Sequence, residues 1–564
     1  MNSPSPLPQV YNLIGLGFGP ANLALSGALL ECDFMHKDIC FIEKHDKFRW
    51  HPGMLLPGTR MQISWLKDLA TLRNPQSPLT FLNYLHFEGR LISFINNGSP
   101  TPSRKEFTDY LAWAANYVQS KGVSVFFDEQ VIAIPKGPDG TVDVVSRNLR
   151  TGQHITRRTK NLVISPGGSP RMPSAIDAIS PHPRVIHSSS YLTSIYSILS
   201  SIVSSRRDGA EALRQPVKVA VVGSGQSAAE IVIDLHSKLR EVVSLLPNAD
   251  GDPARHKIDL IINKGSLKPS DESPFSNKIF DPASTDTFFG LRSKATREMV
   301  LREFRATNYG VVNPRTIDNL HELLYEQQMD DSILRRAKLN GDKEEIRQRS
   351  VLPPHITIHS YSSLVALDLI EAPTGVPDHK DDDVFLLTLQ SDVTKQLSQL
   401  EYDIVICATG YDRSSWLQLL RRSELGKDFI HGNPSPSAPV LVLPDHAQKS
   451  DLHAPWPVDL SVEASGMTDG STSTSSSVST LPTSWESPPP NPCGHLSHGD
   501  IAHDPPSKVY VTRAYRLVPE VSGAEPLPRI YIQGCTESTH GLSDTLLSVI
   551  SIKAGEIAVD LSRR

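Results

Sequence analysis

The chain has 564 residues, of which 39% are hydrophobic, and a formal net charge of −6 at pH 7. This length exceeds one ordinary domain core, so two or three domains are expected. The slightly acidic balance argues against a nucleic-acid-binding surface, and the sequence lacks the run of about 18 apolar residues that a membrane span requires.

The N-terminal sequence MNSPSPLPQVYN lacks the charged and apolar regions of a secretory signal, so we expect a cytoplasmic protein. The five cysteines are scattered and show no CxxC spacing, a pattern that is typical of reduced thiols. It predicts neither a disulfide framework nor a zinc site, and no metal is expected. The cysteines are Cys32, Cys40, Cys407, Cys493 and Cys535.

The first predicted folding unit is a β-α-β element after a leader, residues 1–9, that we expect to be disordered. Its strands are predicted near Val10–Leu16 and Ile39–Glu43, with a helix near Ala21–Glu31 between them. The turn after the first strand reads IGLGFGPAN, and its glycines would let a pyrophosphate approach the backbone at the helix N-terminus. This turn predicts a dinucleotide site.

Glu43 ends the second strand of this unit, where a carboxylate can accept hydrogen bonds from both ribose hydroxyls of an adenosine. A solvated acid at a strand end is the alternative. Residues 44–100 follow with few periodic segments. A helix near Arg104–Ser120 then leads into a β-rich stretch, Val123–Ile164, which ends at the turn cluster PGGSPRMP.

A second β-α-β element is predicted at Val217–Asn263, and its turn reads VVGSGQSAAE. Two such turns in one chain are typical of a flavin oxidoreductase, in which one dinucleotide is held and a nicotinamide comes and goes. Asn263 and Lys264 stand at the tip of the second strand, where an acid would repel a 2′-phosphate. An amide and a lysine tolerate that phosphate, which favours NADPH over NADH.

Helical patterns resume near Thr287–Ala306 and Pro314–Leu339. Asp445–Pro506 is an insertion whose Ser/Thr/Pro-rich core cannot bury enough apolar surface to fold, so we predict disorder there. A phosphorylated regulatory loop is the alternative for this insertion. A strand at Arg529–Gly534 and a helix at Leu546–Leu561 complete the predicted elements.

These patterns predict an α/β protein with two Rossmann-like dinucleotide-binding domains. The FAD-binding domain would comprise residues 10–212 and 401–564, the latter including the insertion at 445–506. The NADPH-binding domain, with segments of the substrate site, would comprise residues 213–400.

The segment DIVICATGYDR, Asp403–Arg413, resembles the ATGY element of class B flavin monooxygenases, with Cys407 where Leu or Phe is common. A second segment, Phe48–Leu85, is similar to the region after the FAD unit in fungal siderophore-type L-ornithine N5-monooxygenases. Lys268–Pro282, NYGVV at Asn308–Val312 and THGLSDTLLSV at Thr539–Val549 agree with that family. The resemblance covers most of residues 10–435 and 507–560.

The resemblance implies an FAD- and NADPH-dependent enzyme that uses O2 to convert the side-chain amine of L-ornithine to N5-hydroxyornithine through a C4a-hydroperoxyflavin. This reaction is the first step of hydroxamate siderophore biosynthesis. The resemblance also suggests a tetramer of identical chains. It implies no catalytic acid or base from the protein. Family members often carry an arginine for the 2′-phosphate where this chain has Asn263, so acceptance of NADH stays open.

Site residues are carried over where the motifs match. Lys67 would receive the amino-acid carboxylate, Asn277 would hold the substrate's polar groups, and Gln62 would lie beside the flavin ring. The expected substrate site is Lys67, Asn277, Lys278, Ile279, Phe280, Asn308 and Ser548. The expected FAD site is Gly15, Gly17, Gly19, Pro20, Glu43, Lys44, Trp50, His51, Gln62, Val131, Thr545, Leu546 and Leu547. The expected NADPH site is Gly223, Ser224, Gly225, Gln226, Ser227, Asn263, Lys264 and Asn308.

Several alternatives stay open from the residues alone. Lys67 could be a solvated lysine, Asn277 and Asn308 could cap turns, and His51 could be a packing residue or a general base. A lysine N6-hydroxylase or a broader amine monooxygenase would use the same motifs. The missing CxxC argues against a pyridine-nucleotide disulfide reductase. The intact glycine turns argue against a degenerate, non-enzymatic scaffold.

Overall fold

A computed structural model describes residues 9–32, 38–177, 179, 181–206, 215–242, 245, 255–349, 352–370, 383–432, 439–444, 507–520 and 527–563. The predictions made for residues 1–8 of the leader, for the insertion at 445–506 and for Cys493 lie outside these ranges. Of the cysteines within them, Cys32, Cys40, Cys407 and Cys535 form no disulfide.

The elements follow one another in chain order. The strands are β1 (Val10–Tyr11), β2 (Leu13–Leu16), β3 (Ile39–Ile42), β4 (Ser124–Phe126), β5 (Glu129–Ala133), β6 (Val142–Asn148), β7 (His154–Thr159), β8 (Asn161–Ile164), β9 (Ser169–Pro170), β10 (Val185–His187), β11 (Lys218–Val222), β12 (Lys257–Ile261), β13 (His355–His359), β14 (Ser362–Ile370), β15 (Val384–Ser391), β16 (Leu397–Tyr402), β17 (Ile404–Cys407), β18 (Tyr411–Asp412), β19 (Val440–Val442), β20 (Lys508–Val511), β21 (Leu517–Val518) and β22 (Arg529–Ile532). The α-helices are α1 (Pro20–Glu31), α2 (Phe81–Phe87), α3 (Leu91–Asn97), α4 (Arg104–Ser120), α5 (Tyr191–Arg206), α6 (Gln226–Val242), α7 (Pro282–Gly290), α8 (Lys294–Asn308), α9 (Pro314–Asn340), α10 (Lys343–Gln348), α11 (Ser415–Arg421), α12 (Gly426–Phe429), α13 (Glu537–His540) and α14 (Ile550–Ser562).

A parallel five-stranded sheet, in the order β22-β8-β2-β3-β4, carries the first glycine turn. Strands β2, β3 and β8 are buried along their whole length, which explains their nearly continuous apolar sequences. Apolar side chains of α1, α4 and α14 form a core cluster with this sheet. The sheet therefore presents the turn between β2 and α1 on a rigid base.

A second parallel five-stranded sheet, in the order β10-β17-β11-β12-β13, carries the second glycine turn. Helix α6 packs its buried face, including Ala228, Ile231 and Val232, into the core of this sheet. The predicted α/β class with two Rossmann-like sheets is confirmed. The division of the chain into residue ranges stays a prediction. Strands β10 and β17 pair within this second sheet.

The two parallel sheets are joined by two chain segments that run side by side. Strand β9, after β8, pairs antiparallel with β18, after β17. The turn cluster PGGSPRMP and the ATGY element therefore touch. A Cβ atom at Gly168 would lie 2.6 Å from the Cβ of Tyr411, so this close approach requires glycine.

Three predicted elements differ from the structure. The strand predicted at Val10–Leu16 is divided, because β1 pairs with β7 in a separate four-stranded sheet and β2 with β3 and β8. The helix predicted at Thr287–Ala306 is two helices, since Ser293 accepts a hydrogen bond from the Thr296 amide and begins α8. The last helix begins at Ile550, because residues 542–549 form two short 3-10 turns.

Among the residues that the structure describes, no helix is both long and apolar enough to cross a membrane.

A buried ion pair fixes the loop before the last helix. Lys553 of α14 donates to Asp544 Oδ1 at 3.0 Å and to the Asp544 carbonyl at 2.7 Å, and both residues are 2% exposed. Asp544 Oδ2 accepts the Thr536 amide at 2.8 Å. Burial raises the pKa of Asp544, but Lys553, His540 and the Thr536 amide outweigh it and lower the pKa overall. Asp544 is therefore charged, and its charge is matched by Lys553.

We expect Lys553→Met to destabilise the protein by about 3–5 kcal/mol, because it leaves a buried carboxylate without its partner. The measurement is thermal unfolding at neutral pH. Since the pKa of Asp544 is lowered in the folded protein, the wild-type pair contributes fully above the ordinary aspartate pKa of ~3.9 and loses that contribution as the pH falls below it. The double variant Lys553→Met/Asp544→Asn removes both charges and is expected to recover part of the loss. A single variant as stable as the wild type contradicts this account.

Candidate functional site

The first glycine turn leaves the N-terminus of α1 open. Gly17 has a φ of +83°, and a Cβ atom there would lie 2.6 Å from the Ser165 carbonyl oxygen. Gly19 is the N-cap of α1 and provides no side-chain cap, and Pro20 occupies the first turn. A Cβ atom at Gly19 would meet nothing within 4 Å. The helix amides thus face space that a phosphate group can fill.

Gly15 packs against the ring of Phe41, because a Cβ atom at Gly15 would lie 2.2 Å from Cδ1 of that ring. Nearby, Asn22 donates to the carbonyl of Gly17 at 2.7 Å and accepts from Gln533 at 3.0 Å. Gln533 Oε1 and Thr536 Oγ1 are buried, and no described residue is their hydrogen-bond partner. The Gln533 oxygen, which lies beside Asn22, and the uncapped helix fit a polar ligand such as a dinucleotide.

Glu43 is 8% exposed at the end of β3 and is held by donors. It accepts the Phe18 amide at 2.8 Å on Oε2, and the His45 amide at 3.0 Å and ring Nδ1 at 2.6 Å on Oε1. Burial raises the pKa of Glu43, but hydrogen bonds from His45 and the Phe18 amide outweigh it, so the pKa is lowered. A carboxylate offers about four acceptor positions, so capacity for ribose hydroxyls remains. Lys44 follows as an exposed side chain, and Val131 is half-buried in β5.

The expected flavin contacts Trp50 and His51 form an aromatic group with the ATGY element. The ring of His51 lies 5.5 Å from Trp50 and 5.9 Å from Tyr411. His187 of β10 lies 5.1 Å from the Tyr411 ring, and its Nε2 is 2.9 Å from the Gly410 carbonyl. Crowding by protein atoms, together with Arg104 and Arg413, lowers the pKa of His51. A neutral His51 agrees with a packing role.

The second glycine turn contacts two other motifs. Gly223 has a φ of +144°, and a Cβ atom there would lie 2.4 Å from the Ala408 carbonyl oxygen of the ATGY element. A Cβ atom at Gly225 would lie 3.4 Å from Gly310 of NYGVV. Ser224 and Ser227 are half-buried in the same turn. The predicted NADPH turn is thus enclosed by segments that the sequence places far away.

Lys264 already has a partner at the strand tip. Its Nζ donates to the Gly310 carbonyl at 2.8 Å. Burial, followed by the charge of Lys268, lowers the pKa of Lys264. Asn263 is exposed. Two lysines close together at this point would attract an anionic group such as a 2′-phosphate.

Some of the predicted substrate residues lie together and others point elsewhere. The Nζ atom of Lys67 lies 5.4 Å from the centroid of the Phe280 ring, and burial lowers its pKa despite the opposing effect of Asp281. Ile279 and Phe280 pack against a small apolar cluster around Phe288.

Asn277 is exposed and donates to the Glu272 carbonyl at 3.0 Å, and Lys278 lies over Phe275. In this structure, therefore, the Asn277 amide group bonds within its own loop.

Asn308 is the last residue of α8 and donates to the Phe304 carbonyl at 2.8 Å and to Thr307 at 3.1 Å. This contact lies within the last turn of α8, and the role of Asn308 in substrate binding stays a prediction. Ser548 is 2% exposed within the 3-10 turn Leu547–Val549, and Thr545 and Leu546 precede it.

Sequence reasoning missed three residues that join these motifs. Tyr309 donates to Glu537 at 2.8 Å and lies 3.1 Å from Thr545 Oγ1. Arg413, the last residue of CATGYDR, donates to the Thr545 carbonyl at 3.0 Å. Glu537 also pairs with Arg305 at 2.6 Å. Only the position of Tyr309 beside Asn308 could have signalled its role.

A cavity of about 840 Å³ opens beside α6. Of the predicted site residues, Gln62 and Gln226 line it, and the Gln62 Nε2 atom lies 3.4 Å from Gln226 Oε1. Its walls are formed by Leu56–Gln62, Ser99–Thr101, α6 and the start of α9. Gln62, expected beside the flavin, and Gln226, expected beside NADPH, therefore meet at this cavity.

Residues 9–360 match the model of the family described as L-lysine 6-monooxygenase/L-ornithine 5-monooxygenase. The L-ornithine N(5)-monooxygenase of Ceriporiopsis subvermispora is 46% identical to the chain, with 98% of each sequence covered. The L-ornithine N(5)-monooxygenase of Coprinopsis cinerea is 44% identical, again with 98% of each covered.

Solved structures agree with these sequences. The ornithine hydroxylase of Pseudomonas aeruginosa is 30% identical, with 98% of this chain and 99% of that chain covered and a TM-score of 0.66. The ornithine N-hydroxylase of Kutzneria sp. 744, whose structure contains reduced FAD, NADP⁺ and L-ornithine, is 28% identical with a TM-score of 0.67. The match covers 99% of this chain and 100% of the Kutzneria chain.

We expect Lys264→Ala to raise the KM for NADPH about tenfold to a hundredfold and to change the KM for NADH much less. The ammonium would face a phosphate that only NADPH carries, and such a charged hydrogen bond contributes about 1.5–3 kcal/mol. The measurement is steady-state oxidation of each nicotinamide. Lys268→Ala is the comparison variant. An equal change for both nicotinamides would show that Lys264 does not contact the 2′-phosphate.

Proposed function

The chain belongs to the L-lysine 6-monooxygenase/L-ornithine 5-monooxygenase family, and we propose that it hydroxylates the side-chain nitrogen of L-ornithine. The observation that carries this proposal is the 46% identity, over 98% of both sequences, to a fungal L-ornithine N(5)-monooxygenase. The product would be N5-hydroxyornithine, the starting material of hydroxamate siderophores.

FAD fits the first sheet and NADPH the second. The amides at the start of α1 would hold the FAD pyrophosphate, and Glu43 would accept the ribose hydroxyls. The turn at Gly223–Ser227 would hold NADPH, with Lys264 near the 2′-phosphate. When bound, the two cofactors supply the redox chemistry: NADPH provides two electrons, and O2 gives one oxygen atom to the amine and one to water.

The protein's own task is to place and neutralise the substrate amine. An ornithine amine has an ordinary pKa near that of lysine, ~10.4, and must lose its proton to act as a nucleophile. Burial among apolar groups such as Ile279 and Phe280 would lower that pKa. Lys67 would hold the carboxylate at the opposite end of the substrate, so the length of the side chain decides where the amine lies.

Neutral histidines support the proposal that the cofactors supply the redox chemistry and that the protein positions the substrate. Burial lowers the pKa of His51, of His187 and of His540, the last to about 3. These rings are therefore in their neutral form rather than the imidazolium form at neutral pH, which agrees with a reaction driven by the cofactors.

Residues 10–212 with 401–564, and residues 213–400, remain our proposed FAD- and NADPH-binding domains. We also propose a cytoplasmic tetramer of identical chains. The scattered spacing of the cysteines supports the location, and the family resemblance supports the assembly.

The test of the proposed function is NADPH oxidation by the purified flavoprotein without an amine, with L-ornithine and with L-lysine. Hydroxylated product is quantified in each case. We expect product equal to the NADPH consumed only with ornithine. Efficient coupling with lysine alone would reassign the substrate, and no hydroxylated product from either amine would reject the reaction.

We expect Lys67→Ala to abolish ornithine hydroxylation while FAD remains bound. Removing one partner of a closed ion pair costs about 3–5 kcal/mol, which corresponds to roughly two to four decades in affinity. NADPH oxidation should continue slowly and yield hydrogen peroxide, because flavin reduction does not need this ammonium. The measurements are ornithine KM, product and peroxide.

Lys121→Ala is the matched control for Lys67→Ala. The Lys121 Nζ atom lies 5.3 Å from the Tyr117 ring centroid, much as Lys67 lies over Phe280, but outside the predicted site. It should behave as wild type. A Lys67→Ala variant with normal ornithine KM and coupled product would remove Lys67 from the site.

A further inference from the structure

An ion pair crosses between the two parallel sheets. Arg104, the first residue of α4, donates to Glu230 of α6 at 2.7 Å and 3.0 Å through both terminal nitrogens. Helix α4 packs in the core of the first sheet and α6 in the core of the second. The side chains of Arg104 and Glu230 are 18% and 6% exposed, so the pair is largely shielded from solvent.

The backbone of Arg104 holds the segment that carries Gln62. The Arg104 amide donates to the Thr59 carbonyl at 3.0 Å, and the Met61 amide donates to the Pro102 carbonyl at 3.0 Å. The Arg104 side chain also donates to the Met54 carbonyl at 3.3 Å. Movement of Arg104 would therefore move residues 59–62 with it.

Glu230 holds Gln226 in the second glycine turn. The Gln226 amide nitrogen donates to Glu230 at 2.7 Å and to Thr316 at 3.0 Å. Its oxygen accepts the Asn313 amide at 2.7 Å and lies 3.4 Å from the nitrogen of Gln62. Two donors and two acceptors are all that a glutamine amide offers, so its orientation is fully specified.

We propose that Arg104 and Glu230 are a positioning pair that sets the second glycine turn against the Gln62 segment, so that a nicotinamide held by one sheet meets a flavin held by the other. The inference rests on the proposed function. It extends that function to residues outside both dinucleotide turns. Neither residue is expected to contact either cofactor's reacting atoms, so both act through Gln226 and Gln62.

A second ion pair in this chain provides a matched control. Arg73 donates to Glu31 at 2.7 Å and 3.0 Å, the same distances as in the Arg104 pair, and the side chains are 5% and 18% exposed. Both of its members lie within the part of the chain around the first sheet. Arg73→Met therefore removes a comparable ion pair without releasing one sheet from the other.

The experiment mixes NADPH anaerobically with the FAD-loaded protein and records flavin reduction by stopped flow. It separates the rate constant of reduction at saturating NADPH from the Kd for NADPH. The variants are Arg104→Met, Glu230→Gln, the double Arg104→Met/Glu230→Met and the control Arg73→Met. FAD content and Tm are measured for each.

We expect Arg104→Met to lower the rate constant of reduction about tenfold to a hundredfold, because misplacement of reacting groups by about 1 Å has effects of this size. The flavin of Arg73→Met should be reduced as fast as that of the wild type, although its Tm should be similar to that of Arg104→Met. The double variant should be no slower than Arg104→Met, since both substitutions break one pair. Glu230→Gln keeps the shape of the side chain and should be intermediate. It carries the test if Arg104→Met does not fold.

Equal rate constants for Arg104→Met and Arg73→Met, with Glu230→Gln equal to wild type, would overturn the inference. That result is distinct from failure of the proposed function, in which the wild type itself would not be reduced by NADPH or would form no hydroxyornithine.

Discussion

Two dinucleotide sites can cooperate only if the sheets that carry them keep one relative position, and in this protein the Arg104–Glu230 pair lies where that position is set. The pair is shielded, doubly hydrogen-bonded and anchored on both sides by helices that begin beside the predicted sites. An exposed pair would contribute little, because solvent and salt screen it. Burial makes its geometry strict, since an unpaired charge there is costly.

The other contacts between motifs are also hydrogen bonds or ion pairs between complementary polar groups. Tyr309 and Glu537 connect NYGVV to the segment before α14, and Arg413 connects the ATGY element to that segment. Lys553 of α14 neutralises the charge of the buried Asp544 in the segment before that helix. The first two connections join different motifs and the third joins a motif to α14, so the predicted substrate region is held by a network rather than by one element.

The titratable groups around the candidate site are mostly held in a single state. Burial keeps His51 and His187 neutral, whereas donors keep Glu43 ionised. A site with fixed charges suits chemistry in which the cofactors move electrons and the protein places the reactants. On the neighbouring loop, Phe280 lies under the Lys67 ammonium, whereas the side chains of Asn277 and Lys278 are exposed.

The sequence by itself predicted the two glycine turns, the carboxylate after β3 and the helix Arg104–Ser120, because each depends on residues that are neighbours in the chain. Family motifs added the substrate segment around Lys67. The sequence could not assign β10 and β17 to the second sheet, nor divide Val10–Leu16 between two sheets, since strand partners are chosen by long-range packing. The pairing of Arg104 with Glu230 could not be predicted either, because both are common charged residues. Only the fold brings them together and excludes water from them, which strengthens their electrostatic attraction.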